Sequence, residues 1–242
     1  MPTNTTFSAQ IVQAVQSVWA DAGFSRPVPG IVPLGEMVAS YPIWVAEVEN
    51  LSFASAARFL AERTGQTPEF GLGGSGGLAG FLYAYIYRKN IVGCILVEKR
   101  DPVARRRFSV AHELGHYKMH FLPQLNQLNP RQRNEGLVIA DAMNYAERDD
   151  ETDDLPISAG ITFPMNVGEV VPQLMLIMDE AKETEANQFA AELLMPADTL
   201  QERITALCLP AGQPRGYLAK RLASEYLVSK EAMNYRLVAM GI

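Results

Sequence analysis

Cysteine is nearly absent. Cys94 and Cys208 are the two in 242 residues, each within an apolar stretch. Two such thiols make no disulfide framework, and their setting predicts buried free thiols. Long apolar runs are also missing. The run 174–178 is among the longest, far short of the roughly 20 residues that span a bilayer, so no membrane association is expected. The opening Met1-Pro2-Thr3-Asn4-Thr5-Thr6 has no basic region followed by an apolar core. No signal peptide is therefore expected, and a reducing cytoplasm is the expected compartment. Positive charge is not in excess. The net charge of −6 excludes a molecule built all over its surface to coat nucleic acid or anionic lipid.

Histidine is scarce as well, with three in the chain, and two of them share one array: His112-Glu113-Leu114-Gly115-His116. On a helix, residues four apart stack on one face. His112 and His116 would aim two imidazole nitrogens at one point, as a tetrahedral zinc ion requires. Glu113 sits one residue on, near enough to take a proton from an activated water. The bland alternative, a surface helix that happens to carry two histidines, leaves the rest of the site unexplained. Hydrophobic content of 48% and charged content of 20% are ordinary for a globular protein, and the length suits one large domain or a domain with a small appendage.

Residues 7–22 place Ile11, Val12, Val15, Val18 and Trp19 at helical spacing. A second helix is expected over 51–63, with Phe53, Ala56, Ala57 and Leu60 on its apolar face. Residues 71–80 are glycine-rich and contain a literal G-x-G-x-x-G at Gly71, Gly73 and Gly76. That motif binds a dinucleotide only after a strand and before a helix. Here a helix precedes and a strand follows, so a loop is expected. Residues 81–88 alternate, with Phe81, Tyr83, Tyr85 and Tyr87 on one side, and 91–98 reads as a second strand of a hairpin. One of these two strands is expected to offer a sheet edge that an extended substrate could extend. Asp101-Pro102 reads as an N-cap and first helical residue, opening a helix that runs to about His120 and is stopped by Pro123. Asp141, Glu147, Asp149, Asp150, Glu151, Asp153 and Asp154 form an acidic patch without EF-hand spacing, expected to be a solvated loop. A further helix spans 179–195 and ends at Pro196.

A catalytic zinc needs a third protein ligand and an open position. His120 lies four residues after His116, but His112 and His120 are about 12 Å apart along a straight helix. Packing or hydrogen bonding is the expected role of His120. Glu183 and Asn187 share a face of the later helix, beside the small residues Ala186 and Ala190, which permit close approach of another helix. Glu183 would complete a His-His-Glu set, and Asn187 could bond the outer nitrogen of a ligand histidine. Glu185 points away from that face, and Glu192 is two turns on. The competing reading of Glu183 is a solvated helix charge.

The run from Arg105-Arg106-Arg107-Phe108-Ser109-Val110-Ala111 into the histidine array, followed by Glu183 through Pro196, resembles the ImmA/IrrE family of zinc metallopeptidases. The resemblance covers about residues 80–240, and its departure is the long spacer between His116 and Glu183. It implies an α+β, gluzincin-like fold: a small sheet on the active-site helix, further helices and a helix-turn-helix-like C-terminal unit. It implies a zinc cofactor held by His112, His116 and Glu183, with Glu113 catalytic and Asn187 behind a ligand. It also implies a role, cleavage of a helix-turn-helix repressor or antitoxin in transcription regulation or stress response. The expected organisation is a peptidase domain over 1–200, including an N-terminal helical part at 1–79 and an acidic insertion at 124–171, and a helical segment over 201–242.

Within that segment, 217–237 reads as helix, turn, helix, with Ser229 as N-cap. From Leu209 onward there are five basic and two acidic side chains. So modest a charge favours packing or substrate docking over DNA reading. Two functions follow. One is a zinc endopeptidase with Glu113 as general base and a tyrosine such as Tyr145, or an arginine, as oxyanion donor. The other is a metal-stabilised regulatory module that binds a repressor or DNA without cleaving it. Glu113 favours the enzyme, because holding zinc alone does not require it.

Overall fold

The computed structural model describes residues 7–64, 77–87, 90–127, 138–144, 174–176, 180–207 and 214–242. The architecture is α+β. Two compact units divide the chain: Met1–Tyr41, Pro102–Gly115 and Glu185–Ile242 form one, Pro42–Asp101 and His116–Thr184 the other. No helix among the described residues is long and apolar enough to cross a membrane. Gly71, Gly73, Gly76, Tyr145, Cys208 and the acidic residues from Glu147 to Asp154 lie outside the described residues.

The unit containing Pro42–Asp101 is built on a five-stranded sheet. Its strands are β1 (Ile43–Val48), β2 (Leu78–Tyr87), β3 (Asn90–Glu98), β4 (Val138–Asn144) and β5 (Leu174–Leu176), in the order β1-β3-β2-β4-β5. β2 and β3 form the expected hairpin, paired from Gly80↔Val97 to Tyr87↔Asn90. β2 begins at Leu78, so the end of the glycine-rich stretch is strand rather than loop. The expectation of a free hairpin edge is overturned. β1 runs parallel along the outer side of β3, and β4 runs antiparallel along the outer side of β2. The physical reason is two-sided burial: Leu78, Phe81, Leu82, Ala84, Cys94, Ile95 and Leu96 are all fully buried. Strands covered on both faces belong in the interior of a sheet.

One sheet face packs on helix α3 (Phe53–Thr64). Ser52 and Ser55 bond reciprocally at its start, Ser52 N–H to Ser55 Oγ at 2.8 Å and Ser55 N–H to Ser52 Oγ at 3.2 Å, in the manner of a capping box. Phe53, Ala56 and Leu60 join Phe81, Tyr83, Cys94 and Leu96 in one core cluster. Phe53 meets the Phe81 ring edge-on at 6.1 Å. Burial among these side chains pushes the Cys94 thiol far above its ordinary range, so it is an inert packing group.

In the other unit, α1 (Ala9–Asp21) buries Ile11, Val15, Val18 and Trp19, the stripe its sequence shows. Helices α2 (Leu34–Ala39), α4 (Val103–Gly115), most of α6 (Glu180–Leu194), α7 (Ala197–Ala206), α8 (Arg215–Tyr226) and α9 (Lys230–Ala239) complete it. α8 ends in the left-handed Leu227 (φ 52°), and Ser229 Oγ then accepts the Ala232 N–H at 3.0 Å to open α9. The guanidinium of Arg236 is buried. It donates from Nε to the Met195 carbonyl at 2.9 Å, pairs with Glu192 and lies 4.5 Å from the centre of the Phe7 ring. Burial pushes the Glu192 carboxyl upward, against the pull of that same Arg236. These contacts tie α9 to the C-terminal end of α6.

Candidate metal centre

α4 starts one residue later than Asp101-Pro102 suggested. The Pro102 carbonyl accepts the N–H groups of Arg105 at 2.9 Å and Arg106 at 3.0 Å, so proline occupies the cap position and Val103 is the first helical residue. From Ser109 through Gly115 every residue is buried. A wholly buried turn is unusual for a helix bearing charge, and it removes His112 and Glu113 from bulk water.

Beyond Gly115 the helix does not stop. His116–Phe121 is a π-helical turn, and α5 (Leu122–Gln127) follows directly. Pro123 therefore does not end the helix as expected. It is the second residue of α5, inside a helical run that continues through it. The wide turn also seats Tyr117 against the sheet. A Cβ on Gly93 would lie 3.2 Å from Tyr117 Cε2 and 3.0 Å from Ile43 Cγ1, so any larger residue there would have to push these side chains aside by a few tenths of an ångström. Burial pushes the Tyr117 hydroxyl up to about 12.

Gly115 in the array has a similar cause, which the sequence did not disclose. A Cβ there would come within 2.9 Å of Phe189 Cδ1 on α6. The missing side chain lets the Phe189 ring of α6 lie against α4, and Phe189, Ala186 and Ala190 are fully buried.

The same approach brings Asn187 to His112, with His112 Nδ1 and Asn187 Oδ1 3.0 Å apart. An amide oxygen only accepts, so Nδ1 of His112 carries the proton and Nε2 keeps a lone pair. His116 has partners on both nitrogens. Its Nε2 lies 3.2 Å from Glu183 Oε1, and its Nδ1 lies 3.0 Å from Nδ1 of His120. One ligand atom from each of His112, His116 and Glu183 lies within 4.8 Å of the other two. Two imidazoles and one carboxylate form a donor set suited to a borderline divalent cation. The 3.2 Å nitrogen–oxygen separation also matches the edge of a tetrahedron with 2.0–2.1 Å bonds, about 3.3 Å. These residues could hold a metal ion.

Of the other acidic groups considered for the site, Glu185 is absent from this cluster. Glu192 is committed to Arg236 and to the Ala197 N–H at 3.4 Å. Sequence reasoning missed the partner of His120. The available signal was a second i,i+4 histidine pair, His116 and His120, overlapping the first.

Residues 78–138 and 171–238, more than half of the chain, match the family model Peptidase_M78, described as the IrrE N-terminal-like domain. The matched stretches contain His112, Glu113, His116, Glu183 and Asn187. No curated protein matches the chain.

Proposed function

Because the chain belongs to the IrrE N-terminal-like family of peptidases, we propose that it is a zinc-dependent endopeptidase. The observation that carries this reading is Glu113, fully buried between two histidines whose ring nitrogens gather with the Glu183 carboxylate. A group that only held a metal would have no use for a buried carboxylate at that position.

When bound, zinc supplies the Lewis acidity that makes water a competent nucleophile near neutral pH. The protein's own groups do the rest. His112 and His116 present Nε2 lone pairs, and Glu183 presents one carboxylate oxygen. Asn187 fixes the His112 ring through Nδ1. Glu113 takes a proton from the water as it attacks the peptide carbonyl, then hands it to the departing amine nitrogen.

The substrate we propose is a helix-turn-helix repressor or antitoxin-type regulator, the class that the family resemblance implies. The test incubates zinc-loaded protein with the product of the neighbouring gene and maps any cut. Discrete cleavage is expected, lost with a chelator and reduced on the order of 10²–10⁴-fold in Glu113→Gln while zinc content stays. Undiminished cleavage by a clean Glu113→Gln preparation would move the general base elsewhere. Zinc-loaded wild type that binds the regulator but never cuts it would favour the non-catalytic module.

A further inference from the structure

The two histidines of the array are held at Nδ1 by different chemistry. His112 faces an amide oxygen, Asn187 Oδ1, which can only accept. His116 faces another imidazole nitrogen, Nδ1 of His120, at 3.0 Å, with ring centres 5.0 Å apart and planes tilted by 56°. His120 is itself buried. A nitrogen–nitrogen bond of this kind carries one proton, which either ring can own.

We propose that His120 is the positioning residue that orients the His116 ring, holding Nδ1 of His116 so that its Nε2 faces the group formed with His112 and Glu183. With a cation bound, His116 would donate from Nδ1 to Nδ1 of His120 and turn its Nε2 lone pair to the metal. The π-helical turn His116–Phe121 is the element that carries both rings. This inference rests on the metal-centre reading above.

The molecule offers its own design for the test. Asn187 shows that an Oδ1 can hold a ligand histidine, and in His120→Asn an Oδ1 would stand where Nδ1 of His120 now stands. His120→Asn should therefore keep zinc affinity within about threefold, while His120→Leu should lose roughly 10–100-fold, both read by chelator competition on the full chain. Wild-type affinity in a folded His120→Leu would overturn the proposal and leave the metal-centre reading standing. Wild-type protein that takes up no zinc would overturn both.

Should His120→Leu fail to fold, long-range 1H–15N spectra of the wild type decide the matter, since there are only three histidine rings to assign. In the zinc-loaded protein His116 should carry its proton on Nδ1, as His112 does, with Nδ1 of His120 accepting it. A His120 ring that retains its Nδ1 proton, or that ligates zinc itself, would overturn the assignment.

Discussion

α4 and α6, which carry His112 and Glu183 of the candidate metal group, hold their residues differently. On α4 the whole run from Ser109 to Gly115 is buried, so His112 arrives on a surface already removed from water. On α6 burial is graded. Glu180 and Ala181 are exposed, Glu183 keeps 12% of its side-chain surface, and from Phe189 onward the helix is buried and fastened by Arg236. The histidines are fixed by packing from all sides, whereas Glu183 stands in the first turn of a helix anchored at its far end. A metal site built this way would draw its rigidity from one helix and its charge from the other.

The strongest test of that contrast removes ligands one at a time. His112→Ala or His116→Ala should lower zinc affinity by more than the roughly 100-fold that loss of an outer partner can cost, measured by competition with a chelator. Glu183→Ala should cost less than either, because two pre-positioned imidazoles remain, and Glu185→Ala should cost nothing measurable. Equal affinities for the Glu183 and Glu185 variants would show that the third ligand comes from another residue. The anchor of α6 comes next. Arg236→Ala leaves the Glu192 carboxylate buried without its cation and should destabilise the protein by about 3–5 kcal/mol in denaturant unfolding. Replacing both Arg236 and Glu192 with apolar residues of similar volume should recover most of that loss. Smallest is the contact between the helices. Gly115→Ala forces a Cβ to within 2.9 Å of the Phe189 ring and should cost about 1–3 kcal/mol. An unchanged melting temperature in that variant would mean that the ring has room to move aside.

Legibility in the sequence followed the range of the interaction. The helical array, the hairpin and the Ser229 cap rest on residues a few positions apart, and their spacing was enough to place them. Bringing Glu183 and Asn187 to the array required a partner helix, and the alanines at 186 and 190 supplied that hint. What stayed hidden depended on distant neighbours. The glycine at 115 is explained by Phe189, 74 positions away in the chain, and the glycine at 93 by Tyr117. The π-helical turn leaves no periodic mark over six residues. β1 and α2 are six residues each, too short for a period to stand out. The strand order escaped for a related reason. The run Ile95-Leu96-Val97 fits an interior strand, but nothing in it says which strand lies alongside.

The parallel pairing of β1 with β3 also constrains how the chain assembles. Ile43 sits opposite Gly93, across α3 and the whole of β2, whereas only two residues separate β2 from β3 in the chain. Closing the short loop costs little chain entropy, and closing the long one costs more before any contact repays it. The hairpin is the natural nucleus, and β1 docks onto an edge that already exists. Substitutions in the hairpin should then slow refolding, while those in β1 should chiefly speed unfolding. The strand that completes this side of the sheet would be the last to join it and the first to leave.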